Sequence, residues 1–384
     1  MPNLRYVVAL ALASLALAAP APAAEEARMR LRDLGISIGH YPTGKFNAIT
    51  DVAGVKVGHH TLAGPPGTPI HTGVTAIVPR DDVWNKKVFA SQFRLNGNGE
   101  MTAAHWIEEA GWLETPILLT DTLSIPQVSD GVVTWMENHY PDMGLGDDVV
   151  IPCVAECDDS FLNDQRGRHN LGAHAMTAIE QAKSGPVAEG AVGAGTGMTS
   201  FRFKGGIGTS SRMVSKEDGG YTIGILVNCN MGTRGDLRID GVPVGQEIPQ
   251  LMPKSKPSEG SIIMVLATDA PLLPHQLNRM CRRMAMGLAR TGTTAHHGSG
   301  DIAIAFSTAT VVPHYPKELT MPVNAINNTH LDPLFDATIE CMEEAVDNAL
   351  CMAKTTVGRD GNTVYALPYP ELRKAMRKHG HPVK

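Results

Sequence analysis

The chain has 384 residues, with 33 Lys and Arg against 39 Asp and Glu for a formal charge of -6, 43% hydrophobic and 5% aromatic residues, and 39 glycines. This composition excludes a disordered or fibrous chain and points to a sheet-rich globular protein with many tight turns. The acidic balance, with no basic block, argues against a nucleic-acid partner, and the length allows either two domains or one layered α/β or α+β unit.

Arg5 precedes an apolar run at residues 7–19, and the small residues Ala21, Ala23 and Ala24 lead into Glu25-Glu26. That order reads as a secretory signal peptide cleaved after Ala23 or Ala24, so residues 1–24 are set apart from the fold and the mature chain is expected in the periplasm or outside the cell. The run falls short of the roughly 20 apolar residues of a spanning helix and no later segment approaches that length, so no membrane partner is expected. Short apolar runs bounded by Gly, Pro and Asp at residues 49–57, 74–78, 117–119, 149–155 and 221–227 read as strands. Helical spacing at residues 103–110 and 171–182 falls between them irregularly, without a clean βαβ repeat.

The last third is more regular. Residues 262–267 read as a buried strand, Asp269 as a helix cap with Pro271 in the first turn, and Leu273, Leu277, Met280, Met284 and Leu288 as one helix face. A second strand follows at residues 302–306. Asp332-Pro333 then opens a long core helix through Phe335, Ile339, Met342, Val346, Ala349 and Cys351. Two strand–helix pairs after a strand-rich first part favour an α+β layered sandwich, with helices over both outer faces of stacked sheets. Residues 252–259 (Met-Pro-Lys-Ser-Lys-Pro-Ser-Glu) pack poorly and are expected to form an exposed, mobile loop.

Gly260-Ser261 stands where that loop meets the buried strand. A glycine there leaves the Gly260 carbonyl open to attack by the Ser261 hydroxyl, and it tolerates strained backbone angles. Cleavage by an N-to-O acyl shift would free the α-amine of Ser261, whose reference pKa of about 7.7–8.0 suits a general base; the plainer reading is a Gly-Ser pair that only opens a strand. Ser299 and Asp301, in Gly298-Ser299-Gly300-Asp301, point to one side if the next strand starts early, and offer a hydroxyl and a carboxylate together; otherwise they form a turn. Asn230 ends a strand, where its amide can face a developing oxyanion or simply satisfy a turn. Glu156, followed by Asp158 and Asp159, can hold an ammonium group or belong to a solvated loop.

Other motifs carry less. Residues 190–198 are glycine-rich, but their G-x-G-x-G spacing lacks the dinucleotide pattern, and with residues 205–211 they read as tight turns around a pocket. The adjacent pairs His59-His60 and His296-His297 diverge in either regular structure, and Cys153 and Cys157 have no second pair at zinc-finger spacing, so neither metal nor cofactor is expected. All six cysteines read as small core residues, although an oxidising compartment would permit a disulfide.

Residues 260–274 (Gly-Ser-Ile-Ile-Met-Val-Leu-Ala-Thr-Asp-Ala-Pro-Leu-Leu-Pro), 298–302 (Gly-Ser-Gly-Asp-Ile), 96–100 (Asn-Gly-Asn-Gly-Glu), 195–198 (Gly-Thr-Gly-Met) and 239–245 (Ile-Asp-Gly-Val-Pro-Val-Gly) together resemble the L-aminopeptidase/D-esterase family, which includes the β-aminopeptidases. The resemblance runs from about Leu34 to Leu372. It implies a four-layer αββα sandwich of the N-terminal-nucleophile hydrolase kind, one domain made of two chains after self-cleavage. An α chain (residues 25–260) and a β chain (residues 261–384) would stay together and assemble as a homotetramer.

Carried over by position, the resemblance implies cleavage between Gly260 and Ser261, with Ser261 as nucleophile and Ser299 and Asp301 assisting it. Asn230 would donate to the oxyanion, and Glu156 would receive the free amino terminus of a short peptide. One departure stands out: the position two after Glu156, often aromatic in the family, holds Asp158, which opens a preference for basic or extended amino termini. Rival readings are an acyltransferase of similar self-cleaving architecture, an amidase acting on non-natural oligoamides, and a periplasmic binding protein in which Gly260-Ser261 stays intact.

Overall fold

The computed structural model describes residues 27–254 and 260–383. The expected signal peptide, and residues 255–259 of the loop before Gly260, lie outside the described residues. Strands β1 (Lys56–Ala63), β2 (His71–Val78), β3 (Lys86–Gly97), β4 (Trp112–Leu113), β5 (Ile117–Asp121) and β6 (Cys153–Cys157) are interleaved with helices α1 (Ala104–Ala110), α2 (Ile125–His139) and α3 (Gly172–Glu180). A short ribbon, β7 (Thr199–Ser200) and β8 (Phe203–Lys204), leads to β9 (Gly206–Met213), β10 (Thr222–Asn230) and α4 (Val244–Glu247). The remainder runs β11 (Ser261–Thr268), α5 (Pro274–Arg290), β12 (Gly300–Pro313), α6 (Asp332–Met352), the small pair β13 (Thr356–Val357) and β14 (Thr363–Val364), and α7 (Tyr369–Lys378).

Two sheets carry the fold, one ordered β1-β2-β5-β6 and the other β4-β3-β12-β11-β10-β9. Alternation along the strands decides what each face meets. On β11, Ile263, Val265 and Ala267 join Ile77, Leu119 and Ala155 of the four-stranded sheet in the core between the sheets. Ile262, Met264 and Leu266 instead join Leu277, Met284, Met342 and Val346 of α5 and α6. On the far side Leu118 and Val154 pack with Val128 and Val132 of α2 and Ala175 and Ile179 of α3. The layers are therefore helix, sheet, sheet, helix.

β11 reads as an unbroken apolar run because both of its faces are covered. Each Leu, Ile or Val so buried contributes about 1.5–3 kcal/mol. β11 and β12 are parallel and joined through α5, whereas β10 and β11 are antiparallel, so β11 lies in the interior of its sheet.

Several boundaries differ from the sequence reading, for local reasons. Residues 49–57 do not form one strand: the Asp51 carboxylate accepts from the N–H groups of Phe46 at 2.9 Å and Ala48 at 3.0 Å. That gathers Ile49–Asp51 into a 3-10 turn, and β1 starts only at Lys56. Asp269 does not cap α5; its carboxylate accepts from the Thr222 N–H at 2.7 Å, and the helix begins at Pro274 behind a Leu273–Gln276 capping interaction. Residues 149–152 stay outside β6, which places Glu156 inside the strand. The Asp332-Pro333 start of α6 agrees with the structure, Pro occupying its first turn.

Candidate active site

Ser261 is the first residue of β11 and is 5% exposed. The antiparallel register pairs it with Asn230, the last residue of β10. Directly opposed side chains project to the same face with Cβ atoms about 4.5–5.5 Å apart, and for Ser261 that is the face of Ile263 and Val265, toward the other sheet. A Cβ on Gly260 would lie 1.6 Å from the Asn230 carbonyl oxygen, so only glycine lets the chain enter β11 here.

The Asn230 amide is held at both ends. Its Oδ1 accepts from the Thr199 N–H at 2.8 Å, and its Nδ2 donates to the Asp158 carbonyl at 2.7 Å. An amide nitrogen has two hydrogens, so one remains for a group at Ser261.

On the other flank, β12 runs parallel to β11 with Asp301 beside Ile262. One step earlier in that register Gly300 stands next to Ser261, with Ser299 and Asp301 on either side of it. The Ser299 hydroxyl donates to Asp301 Oδ1 at 2.7 Å, and Asn96 Nδ2 donates to Asp301 Oδ2 at 3.0 Å. Burial raises the Asp301 pKa above the usual range, while the bonds from Ser299 and Asn96 oppose the rise. Gly298 lines the cleft in front of Ser261, whereas Ser299 and Asp301 do not line it, and Asp301 shares the face of its partner Ile262.

The cleft has a volume of about 290 Å³, and Asn98, Glu100, Thr122, Glu156, Asp158 and Gln165 line it with Gly260 and Ser261. Glu156, 3% exposed, accepts from the Glu100 N–H at 3.0 Å through Oε1 and from the Thr122 hydroxyl through Oε2. Burial raises its pKa, the bonds from Thr122 and Glu100 pull it down, and the charges of Asp158 and Asp121 push it up again. Among the described residues no Lys, Arg or His lines the cleft, so the carboxylate is available to an incoming ammonium. Asp158 accepts at Oδ1 from Gln165 Nε2 at 2.6 Å and from the Ser160 N–H at 2.8 Å.

The sequence reading passed over Thr122, Asn96 and Cys157 as site residues. Cys157 follows Glu156 and meets the Ser261 hydroxyl; burial, with the Glu156 charge, pushes its thiol pKa well up, so it stays protonated and does not compete as a nucleophile. All six cysteines are buried in the two cores that flank the six-stranded sheet. The paired histidines diverge: His59 meets Thr75 at 3.0 Å, whereas His60 stacks on His174 of α3. Among the described residues no group of three or more His, Cys, Asp or Glu is placed to hold a metal, and no helix is long and apolar enough to cross a membrane.

The sequence profile of peptidase family S58 matches residues 47–364. The chain belongs to peptidase family S58. It is 42% identical over 371 residues to the beta-peptidyl aminopeptidase BapA of Sphingosinicella microcystinivorans, across 91% of this chain and 92% of that one. A Burkholderia sp. beta-aminopeptidase of known structure superposes with a TM-score of 0.86 at 43% identity, over 92% of this chain and all of that one. The L-aminopeptidase D-Ala-esterase/amidase of Ochrobactrum anthropi, described as a prototype of the serine aminopeptidases and a variant of the Ntn hydrolase fold, superposes at 0.85 with 42% identity, over 92% and 99% of the two chains. This S58 member is accordingly a serine aminopeptidase of the N-terminal-nucleophile class, on the layered fold described above.

Proposed function

We propose that this S58 peptidase is made as an inactive precursor that cuts itself between Gly260 and Ser261. The Ser261 hydroxyl attacks the Gly260 carbonyl carbon and the C–N bond breaks. Water then hydrolyses the resulting ester, leaving a Gly260 carboxylate and a free Ser261 amine. In turnover the hydroxyl attacks the first carbonyl of a short peptide, and the Ser261 amine takes its proton and passes it to the leaving amine. Water resolves the acyl-enzyme. Asn230 holds the oxyanion, Ser299 and Asp301 orient the new amine and hydroxyl, and Glu156 receives the substrate's ammonium.

The single observation that carries this reading is the cleft itself: the first residue of β11, opposed by an asparagine amide, shares it with the buried Glu156 carboxylate, and among the described residues no basic side chain lines it. That pairing calls for a substrate with an unblocked amino group one residue from the scissile bond. The names of the relatives extend the proposal to β-amino as well as α-amino terminal residues, and to amides and esters. We also propose that the two pieces remain one αβ unit, that these units form a homotetramer, and that they act outside the cytoplasm.

The test compares alaninamide and β-alaninamide with their N-acetylated forms. Turnover of the free amines alone is expected. Equal turnover of the blocked amides would overturn the role of Glu156 and reopen the plain amidase reading.

A further inference from the structure

Lys204 on β8 is fully buried, and its Nζ donates to the carbonyls of Gly195 at 3.0 Å, Met198 at 2.8 Å and Gly205 at 2.9 Å. Three acceptors match the three hydrogens of an ammonium group, which neutral lysine lacks. Burial pulls the pKa of Lys204 down to about 7, against the opposing pull of Asp159.

The bond to Met198 has a consequence for Asn230. The Met198 carbonyl and the Thr199 N–H belong to one peptide group, and that N–H is the one bonded to Asn230 Oδ1 at 2.8 Å. From ammonium to peptide to side-chain amide the donors run in one direction and end at Asn230 Nδ2, which gives one hydrogen to the Asp158 carbonyl and keeps the other.

Resting on the assignment of Asn230 to the oxyanion, we infer that Lys204 is a positioning residue that orients and polarises that donor through the Met198–Thr199 peptide. A cation at the carbonyl makes the N–H a stronger donor; that in turn draws charge from Asn230 Oδ1 and leaves the free Nδ2 hydrogen more positive. The same clamp fixes the turn between Gly195 and Thr199, so the amide cannot rotate away.

Lys204→Met keeps the stem and removes the charge. Its expected effect is about a tenfold loss of kcat with little change in KM, the size of coupling within one hydrogen-bond network. A double-mutant cycle with Asn230→Ala on alaninamide separates the possible explanations, with self-cleavage of the same four proteins followed as a second rate. In the Asn230→Ala background, Lys204→Met should cost nothing further. The same tenfold loss in both backgrounds would overturn the coupling and leave Lys204 a structural residue. If Asn230→Ala alone left both rates unchanged, the oxyanion assignment beneath it would fall instead. Lys204→Gln keeps a donor for the carbonyls and protects the test against misfolding of the methionine variant; full kcat in a folded Lys204→Gln protein would also overturn the inference.

Discussion

Replacing Glu156 by glutamine alters one charge at the centre of the site. The carboxylate is 3% exposed, held by the Glu100 N–H and the Thr122 hydroxyl, and among the described residues no basic side chain lines its cleft. A substrate ammonium would pair with it, and such a charge-assisted hydrogen bond contributes about 1.5–3 kcal/mol. At 1.36 kcal/mol per decade this is roughly a 10- to 150-fold loss of kcat/KM. The ammonium sits one residue from the reacting carbonyl and is bound equally in the ground and transition states, so the loss should appear in KM. The assay is steady-state hydrolysis of alanine p-nitroanilide, with N-acetylalanine p-nitroanilide as a substrate that lacks the charge. The variant should also lose the parent's discrimination between the two. A Glu156→Gln enzyme with unchanged KM and collapsed kcat would refute the reasoning and assign the carboxylate to the chemical step.

Other perturbations follow from neighbouring contacts. Thr122→Val removes a bond that lowers the Glu156 pKa. Because the ionised carboxylate is the binding form, the acid limb of kcat/KM should move to higher pH; a limb that stays or moves down would contradict this. Gly260→Ala sets a Cβ 1.6 Å from the Asn230 carbonyl oxygen, so self-cleavage should slow sharply in a mass-spectrometric time course, and cleavage at the parent's rate would refute the close approach. Arg212 is fully buried and donates to Glu344 Oε2 at 2.6 Å. Arg212→Leu removes one of the two guanidinium partners of that carboxylate, the other being Arg32 at 2.8 Å, and should cost about 1–3 kcal/mol in chemical denaturation, whereas no measurable loss would show that Arg32 alone holds Glu344.

The amino-acid sequence disclosed the layers more readily than the site. Continuous apolar runs and helix spacing are local properties, so β11, α5, β12 and α6 could be read from residues such as Ile263, Leu277, Ile304 and Val346 one after another. Turns governed by a side chain were harder: nothing in the pattern at residues 49–57 says that Asp51 collects two backbone N–H groups, or that Asp269 serves Thr222 instead of α5.

The pairing of Ser261 with Asn230 is a fact of strand register, invisible along the chain; family resemblance, not spacing, linked those two residues. Thr122 and Lys204 left no trace because their roles run through a hydroxyl and three backbone carbonyls that any residue types could present. Cys157 had one available signal, its place directly after Glu156 in a strand, where a neighbour of the carboxylate must face the opposite side and thus the core beneath Ser261.

The central claim is that Ser261 becomes an amino-terminal nucleophile, and intact-mass measurement under denaturing conditions tests it directly. The purified parent protein should give two polypeptides, the smaller beginning at Ser261, and Ser261→Ala should give a single uncut chain. An active parent that remains one polypeptide, or a Ser261→Ala variant cut at the same bond, would contradict the account.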